Sequence, residues 1–233
     1  MTKLNIGMIG AGFIGQLAHL MNFVEIKHCQ VQALAEFKPE LREKVASRYA
    51  IPKTYASHFD LLQDPDIDAV VVVTPRPLTA PVVLDCLNAG KHVLSEKPMA
   101  GSQEQACQLL SAAKANQVRY AVGYMKRYDE GVEAAKLSLL EACSTESLGP
   151  ILSVHAKCYM GNSYCSAYGH VVTQEPNDHV LDGWDIAPKW LPEKYHVPFG
   201  AYLNTFSHLT NLLQYLFDEL PSIEFVNLTN HPG

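Results

Sequence analysis

Three glycines near the start of the chain have the spacing of a phosphate-binding turn. Gly10, Gly12 and Gly15 form G-x-G-x-x-G between an apolar segment, 5–9, and a helical pattern, 14–23. In a strand–turn–helix the first glycine permits a tight turn, the second lets the backbone approach a diphosphate, and the third lets the helix pack on the strand. Free N–H groups at the helix start attract the anion. The predicted dinucleotide contacts are Gly10, Gly12, Phe13, Ile14 and Gly15.

An acidic residue stands at the end of the second predicted strand. Glu36 follows Gly15 by 21 positions, close to the spacing expected for a residue that binds a ribose. A carboxylate there accepts a hydrogen bond from the ribose 2′-OH and repels a 2′-phosphate. Glu36 therefore favours NAD over NADP. Lys38 lies close by and is able to bind a phosphate, so NADP stays open as the second choice.

Lys97 belongs to a short motif, Glu96-Lys97-Pro98, directly after the predicted strand 92–95. A residue before proline is held extended, which fixes its direction. Because Lys97 must be aimed into the cleft directly after a strand, we also predict a cis Lys97–Pro98 peptide. Ligands of doubly wound sheets bind beyond the carboxyl ends of the strands. An ammonium held there over a nicotinamide would polarise a hydroxyl or carbonyl oxygen. Lys97 is the predicted catalytic and substrate-binding residue, and further predicted cofactor contacts are Thr74, Pro75, Glu96 and Lys97.

The elements that must position these residues alternate along the first half of the chain. Predicted strands are 5–9, 31–35, 69–73, 92–95 and 119–122, and predicted helices are 14–23, 39–49, 59–62, 79–89 and 103–115. This alternation indicates an α/β fold with a doubly wound parallel sheet. After Gly123 the pattern changes to a helix 129–141, a strand 151–159, an irregular stretch 160–201, a helix 201–217 and a strand 223–228. We predict domains at 1–123 and 124–233.

Composition excludes several classes of function. The 233 residues carry a net charge of −6, with 48% apolar and 18% charged residues, which is typical of a globular protein and gives no support for nucleic-acid binding. No apolar run approaches the roughly 20 residues that span a bilayer. The first residues, MTKLN, lack a cleavable signal layout, and the six cysteines form no C-x-x-C pair. We expect reduced thiols, a cytoplasmic location and no metal site, since the histidines form no ligand pattern.

Several segments together resemble one family. IGMIGAGFIG, Glu36, VVVTP, AGKHVLSEKPMA and VGYMKRY are similar to segments of the glucose–fructose oxidoreductase / inositol dehydrogenase / MocA family, and the likeness extends from Asn5 to about Phe217. The resemblance implies an N-terminal Rossmann domain. It also implies a C-terminal α+β domain with an open, mostly antiparallel sheet that binds substrate and forms the oligomer interface. Members are mostly NAD(P)-dependent dehydrogenases of sugars, polyols and related compounds.

The resemblance also assigns roles to residues of the second half. In the family the lysine of EKP lies at the reaction centre, and a histidine of a D-x-x-x-H-x-x-D helix donates or accepts the proton. His208 of YLNTFSHLTNLL matches that histidine, while Asn204 and Asn211 replace the aspartates. On one continuous helix Asn204 and His208 share a face, so Asn204 would orient the imidazole without lending it charge. Arg127 matches an arginine that contacts the cofactor or a substrate anion.

Three functions remain open at this level. The first is an NAD-dependent oxidoreductase of a sugar or polyol, with Lys97 polarising the oxygen, His208 moving the proton and Asn204 contacting the substrate. The second is an NAD-dependent glycosidase that uses transient oxidation, and the third is a non-catalytic NAD-binding regulator. The family's second domain has more strands than the two found after residue 150, so we expect an incomplete domain. Its unpaired sheet edge would favour a homo-oligomer.

Overall fold

The protein forms a parallel sheet covered by helices on both faces. The structure, a computed structural model, describes residues 3–145, 149, 151–157, 169–176, 182–218, 222 and 224. Its strands, β1 to β6 in chain order, are Leu4–Ile9, Cys29–Ala35, Lys53–Tyr55, Ala69–Val72, His92–Ser95 and Tyr120–Val122. Their spatial order is β3-β2-β1-β4-β5-β6, and every pair is parallel. The strand order reverses at β1, which defines a doubly wound Rossmann sheet and confirms the predicted α/β class.

The helices of the described residues connect and follow these strands. A π-helical segment, Gly15–Leu20, continues into α1, Met21–Phe23. The other helices are α2 to α8: Pro39–Arg48, His58–Leu62, Arg76–Asn88, Gln103–Ala115, Glu130–Ser144, His196–Thr205 and Ser207–Phe217. Short 3₁₀ turns cover Met125–Tyr128 and Glu193–Tyr195. Ser57 and Ser102 cap α3 and α5, because their side-chain oxygens accept the N–H groups of Asp60 and Gln105.

Two apolar clusters hold the sheet. On one face Leu61, Val83 and Leu109, from α3, α4 and α5, pack with strand residues; on the other, Leu20 and Val45 pack from the π-helical segment and α2. The middle strands are buried on both sides, which explains why β4 reads as the unalternating run AVVV. Because all the strands are parallel, their carboxyl ends lie at one edge of the sheet. Burial of apolar surface, worth about 25 cal/mol per Å², stabilises this arrangement.

Four elements differ from what the sequence predicted. The strand β3 was not predicted: its sequence KTY is short and polar, and it forms by pairing with β2. The helix predicted to begin at Thr79 begins at Arg76, because a proline at Pro77 is tolerated in the first helical turn. The first helix opens as a π-helix. The helix predicted over 201–217 is two helices, α7 and α8, separated at Phe206.

The predicted strands of the second half are not formed by the described residues. Residues 151–157 of the predicted strand 151–159 have no regular structure, since the described part of 124–157 and 205–218 offers no strand with which they would pair. The strand predicted over 223–228 lies outside the described residues, apart from Glu224. The irregular stretch predicted over 160–201 ends earlier, where α7 begins at His196. The antiparallel sheet therefore stays a prediction.

The described residues fall into two compact units. Those of 1–123 and 160–204 form the first, and those of 124–159 and 205–233 form the second. One division between the units falls after Gly123, and the continuous domains 1–123 and 124–233 stay a prediction. The sequence pattern places residues 160–204 in the second domain; of these, the described residues 169–176 and 182–204 contact the π-helical segment, α2, α4 and α5.

Three findings on membrane spans, metal ligands and cysteines apply to the described residues. Among the described residues, no helix is long and apolar enough to cross a membrane. Within the same ranges, no three His, Cys, Asp or Glu side chains are grouped to hold a metal ion. The cysteines that the structure describes, Cys29, Cys86, Cys107 and Cys143, are free thiols.

Candidate functional site

The glycine turn has the geometry that its spacing predicts. Gly10 has φ +94°, and a Cβ built on it would lie 2.2 Å from the carbonyl oxygen of Val73, so both the backbone conformation and the space require glycine. A Cβ at Gly15 would lie 2.8 Å from the Gly10 carbonyl oxygen. A Cβ at Gly12 would meet nothing within 4 Å. Gly10 and Gly15 thus allow the tight turn, and Gly12 leaves its outer side open.

That open side belongs to a cavity of about 390 Å³ at the carboxyl edge of the sheet. The cavity has the size of a small-molecule site. Its walls contain these predicted cofactor contacts: Gly10, Gly12, Glu36, Thr74 and Pro75. The other two residues of the turn lie beside it, where Ile14 is partly exposed and the ring of Phe13 packs edge-on against His170, with centroids 5.1 Å apart. The open turn, the cavity and the carboxylate of Glu36 together fit a dinucleotide.

Glu36 is a buried carboxylate fixed by the backbone around it. Its Oε2 accepts the N–H of Ala11 at 2.9 Å, and its Oε1 accepts the N–H of Lys38 at 3.1 Å. Its main-chain oxygen accepts a bond from the Arg42 guanidinium at 2.6 Å. Because each carboxylate oxygen has two lone pairs, both remain able to accept a hydroxyl proton. The contact with Ala11 ties this acid directly to the glycine turn.

Glu96 links the end of β5 to the helix that follows the glycine turn. Its Oε1 lies 2.9 Å from Nε2 of His19, and its Oε2 accepts the N–H of Lys97 at 3.2 Å. Burial alone would raise the pKa of Glu96, but these two hydrogen bonds, together with the charge interactions with His19 and Lys97, hold the pKa below its ordinary value. Glu96 is therefore an anion beside Lys97.

Lys97 is directed by two oxygens of one distant residue. Its Nζ donates to the main-chain oxygen and to the side-chain Oδ1 of Asn204, each at 3.0 Å. Burial lowers the pKa of Lys97, Glu96 opposes this by favouring the cation, and the charge of Arg76 adds to the lowering. The Lys97–Pro98 peptide is cis, as predicted. Asn204 thus directs Lys97 within the first unit, a contact that the sequence did not predict, and its expected role in orienting His208 stays a prediction.

His208 and Arg127 belong to the second unit. The ring of His208 packs edge-on against Tyr124, with centroids 6.0 Å apart and planes at 87°. Burial raises the pKa of the Tyr124 hydroxyl. Arg127 donates from Nε to Oδ1 of Asn211 at 2.6 Å, and its guanidinium lies 5.3 Å from the centroid of Tyr215. The meeting of these two residues with Lys97 and the cofactor stays a prediction.

Sequence reasoning missed one segment of the first unit, residues 169–176, which we call the strap. Gln16, fully buried, donates to the main-chain oxygen of Val171 at 3.0 Å and accepts its N–H at 2.7 Å. At the far end of the strap, Glu175 binds the start of α2. These partners are more than 130 positions apart in the chain, and no motif relates them.

A family model describes the first unit. The model of the Gfo/Idh/MocA oxidoreductase family, with an NAD-binding Rossmann fold, matches residues 4–124, just over half of the chain. The match covers the glycine turn, Glu36 and the Glu96–Pro98 motif. The chain belongs to this family, and its first unit contains the NAD-binding Rossmann fold.

Individual relatives agree with this assignment. The inositol 2-dehydrogenase/D-chiro-inositol 3-dehydrogenase of Shouchella clausii is 34% identical over 195 residues, which cover 82% of this chain and 54% of the relative. The levoglucosan dehydrogenase of Pseudarthrobacter phenanthrenivorans is 26% identical over 234 residues, 97% of this chain and 54% of the relative. The structure of GenD2 from gentamicin A biosynthesis in complex with NAD has a TM-score of 0.59 and 25% identity, covering 64% of this chain and 41% of GenD2. The chain thus spans about half the length of these relatives.

Proposed function

We propose that this chain is an NAD-linked oxidoreductase that moves a hydride between nicotinamide and a hydroxyl-bearing carbon of a sugar, polyol or related compound. The observation that carries the proposal is Lys97. Its ammonium is partly buried, lies at the carboxyl end of β5 in the unit that contains the glycine turn, and is aimed by Asn204. The family assignment and the dehydrogenase names of the relatives support it.

The cofactor fits the first unit through groups already described. The turn Gly10–Gly15, including Phe13 and Ile14, would hold the diphosphate through backbone N–H groups, and Glu36 would accept ribose hydroxyls. Thr74, Pro75, Glu96 and Lys97 would border the nicotinamide half, with Arg127 as a further contact from the second unit. Bound NAD supplies the hydride acceptor, which no side chain is able to provide.

The chemistry of the chain itself is then proton handling and orientation. Lys97 would donate a hydrogen bond to the reacting oxygen of the substrate and stabilise negative charge on it. Asn204 would keep the ammonium directed and contact the substrate through its amide. His208 would accept the proton of the hydroxyl, a step typically worth about 10²–10⁴-fold in rate. The lowered pKa of Lys97 makes its proton easier to share with the oxygen.

Product analysis separates this function from the other two that the sequence left open. The purified chain is incubated with NAD and a panel of inositols, anhydrosugars, aldoses and glycosides. The oxidoreductase predicts NADH formed in equal amount to oxidised product. Glycoside cleavage without net NADH would instead identify the NAD-dependent glycosidase. NAD binding with no product from any compound would identify the regulator.

Two further proposals concern the whole molecule. We propose that it self-associates through the second unit, and α6 supports this because none of its residues is buried and Leu137 is 68% exposed. Light scattering over a wide concentration range tests self-association, and a monomer at every concentration would contradict it.

We also propose a cytoplasmic location, in keeping with the free thiols of the described cysteines.

A further inference from the structure

The strap carries a carboxylate to the N-terminus of the helix that follows Glu36. Oε1 of Glu175 accepts the N–H of Glu40 at 2.8 Å, and Oε2 accepts the N–H of Leu41 at 2.9 Å. Thr173 of the strap donates to Oε2 at 2.9 Å and fixes the carboxylate. The residue before the helix, Lys38, caps nothing with its side chain. Glu175 therefore serves as the cap of α2 from 134 positions away.

The contact with Glu175 occupies the backbone N–H groups through which the first turn of α2 would otherwise bind an anion. Pro39, the first residue of α2, has no N–H, and the N–H groups of Glu40 and Leu41 are both taken by Glu175. The N–H of Arg42 is bonded to the main-chain oxygen of Lys38. The first turn of α2 thus offers no further backbone donor to a phosphate. An anion in this place would have to displace Glu175.

Glu175 also alters the electrostatics beside Glu36. The ammonium of Lys38 is the cation that would favour a 2′-phosphate. The main-chain N–H of Lys38 already donates to the Glu36 carboxylate. Burial opposes ionisation of Glu175, but the N–H groups of Glu40 and Leu41, Thr173 and the charge of Lys38 together hold its pKa below the ordinary value. The carboxylate is therefore ionised at neutral pH and offsets the charge of Lys38. Two anions, Glu36 and Glu175, bracket the segment 36–41.

We propose that Glu175 is a second selectivity residue, which acts with Glu36 to exclude dinucleotides that carry a 2′-phosphate. The proposal rests on the proposed function, because it concerns the same cofactor and the same cavity, whose walls contain Glu36, Lys38 and Leu41. A 2′-phosphate on a ribose held by Glu36 would enter a region where one carboxylate repels it and the other occupies the helix N-terminus. The strap thereby gives residues 169–176 a role in cofactor choice.

Calorimetric titration of the full chain with NAD and with NADP tests this. The variant Glu175→Gln keeps the shape of the side chain and one acceptor oxygen but removes its charge. We expect the dissociation constant for NADP to fall about tenfold relative to that for NAD, the order of magnitude expected when a like charge beside the binding site is removed. The gain in NADP affinity should be clearest in a Glu36→Ser background, where the repulsion between the Glu36 carboxylate and the 2′-phosphate is already removed.

A matched control removes the same charge elsewhere on the helix. Glu43 is exposed on α2, and Glu43→Gln should leave the ratio of NADP to NAD affinity unchanged. Equal changes for NAD and NADP in Glu175→Gln, or the same gain in the control, would overturn the role of Glu175. Failure of the wild type to bind NAD at all would instead overturn the proposed function. NAD binding with an unaltered ratio rejects only this inference.

Discussion

The ammonium of Lys97 donates to two oxygens of Asn204, a residue 107 positions further along the chain, and each donor–acceptor distance is 3.0 Å. Asn204 is neutral, so the cation is oriented without a neutralising carboxylate at this contact. The pKa of Lys97 stays below its ordinary value of 10.5, because burial and the charge of Arg76 together outweigh the raising effect of the Glu96 charge. The charge of Lys97 is thus left available for the reacting oxygen.

Replacement of Asn204 by aspartate should move the pH dependence of the reaction. A carboxylate beside Nζ favours the ammonium and raises the pKa of Lys97, by about one unit for a close ion pair. Lys97 acts as a cation in our proposal, so activity is present below its pKa and falls as pH rises through it. The alkaline limb of kcat against pH should therefore shift to higher pH in Asn204→Asp.

Asn204→Ala provides the comparison at the same position. It removes Oδ1 but keeps the main-chain oxygen, so the alkaline limb should not move upward while kcat falls. An unchanged alkaline limb in Asn204→Asp would show that Lys97 is not the group whose charge limits the reaction.

Two glycines of the turn should respond to alanine in different ways. Gly12→Ala meets open space and has no left-handed backbone, so the free energy of unfolding should change by no more than about 0.5 kcal/mol while NAD affinity falls. Gly10→Ala places a methyl group 2.2 Å from a carbonyl oxygen at φ +94°, and should cost about 2–4 kcal/mol of stability. Denaturant unfolding and NAD titration measure the two effects separately. Undiminished NAD affinity in Gly12→Ala would contradict the assigned diphosphate site.

Glu36→Ser should relax the preference between cofactors. The change removes the carboxylate that would repel a 2′-phosphate, and it also removes the hydrogen bond to the N–H of Ala11. NAD affinity should fall by about tenfold, in line with a bond to a charged group, while NADP affinity rises. Competition between the two dinucleotides gives the ratio directly. Tighter binding of NADP than of NAD by the wild type would show that Glu36 has been given the wrong role.

A cluster around Asp64 should make the edge of the sheet sensitive to acid. Its carboxylate accepts bonds from Lys53 at 2.8 Å and from the Tyr55 hydroxyl at 2.9 Å, which tie β3 to the turn at 64–66. The bond from Lys53 is the main reason that the pKa of Asp64 lies below its ordinary value of 3.8. A carboxyl with a lowered pKa stabilises the folded state above that ordinary value, and this contribution is lost as pH falls through the folded-state pKa.

Asp64→Asn should therefore lower the free energy of unfolding at neutral pH by about 1–2 kcal/mol, a modest value because Lys53 is partly exposed. The difference from the wild type should shrink as the pH is lowered below about 4. Thermal melts of the variant and the wild type at several pH values measure this difference in stability. A difference that is the same at every pH would mean that the ionised form of Asp64 has no special part in stability.

The sequence predicted what depends on local pattern. The glycine turn and the strands Ala69–Val72 and His92–Ser95 each follow from a few neighbouring residues, and each is present. The strand β3 was not predictable in this way, because KTY lacks an apolar pattern and depends on pairing with β2. An apolar pattern also shows which helix face is buried, but not whether its hydrogen bonds are of the α or the π type at Gly15–Leu20.

The candidate site was predictable to the same extent as the fold. The positions of Glu36 and Lys97 at strand ends were predictable, whereas their partners were not. The contact of Asn204 with Lys97 had no signal in the sequence, and neither had the break at Phe206 between the two helices that carry Asn204 and His208. Gln16 and Glu175 find their partners 155 and 134 residues away, through single side chains that no local pattern marks.

The central claim is that Lys97 acts on the substrate in an NAD-linked oxidation, and the most direct measurement is NADH formation by Lys97→Ala on a compound that the wild type oxidises. We predict that kcat falls by about 10²–10⁴-fold, as when a positioned proton-handling group is lost, while NAD affinity is kept because the glycine turn and Glu36 are intact. Lys114→Ala, at an exposed lysine of α5, should retain full activity. Full kcat in Lys97→Ala, or NAD binding by the wild type without oxidation of any compound on the panel, would contradict the claim.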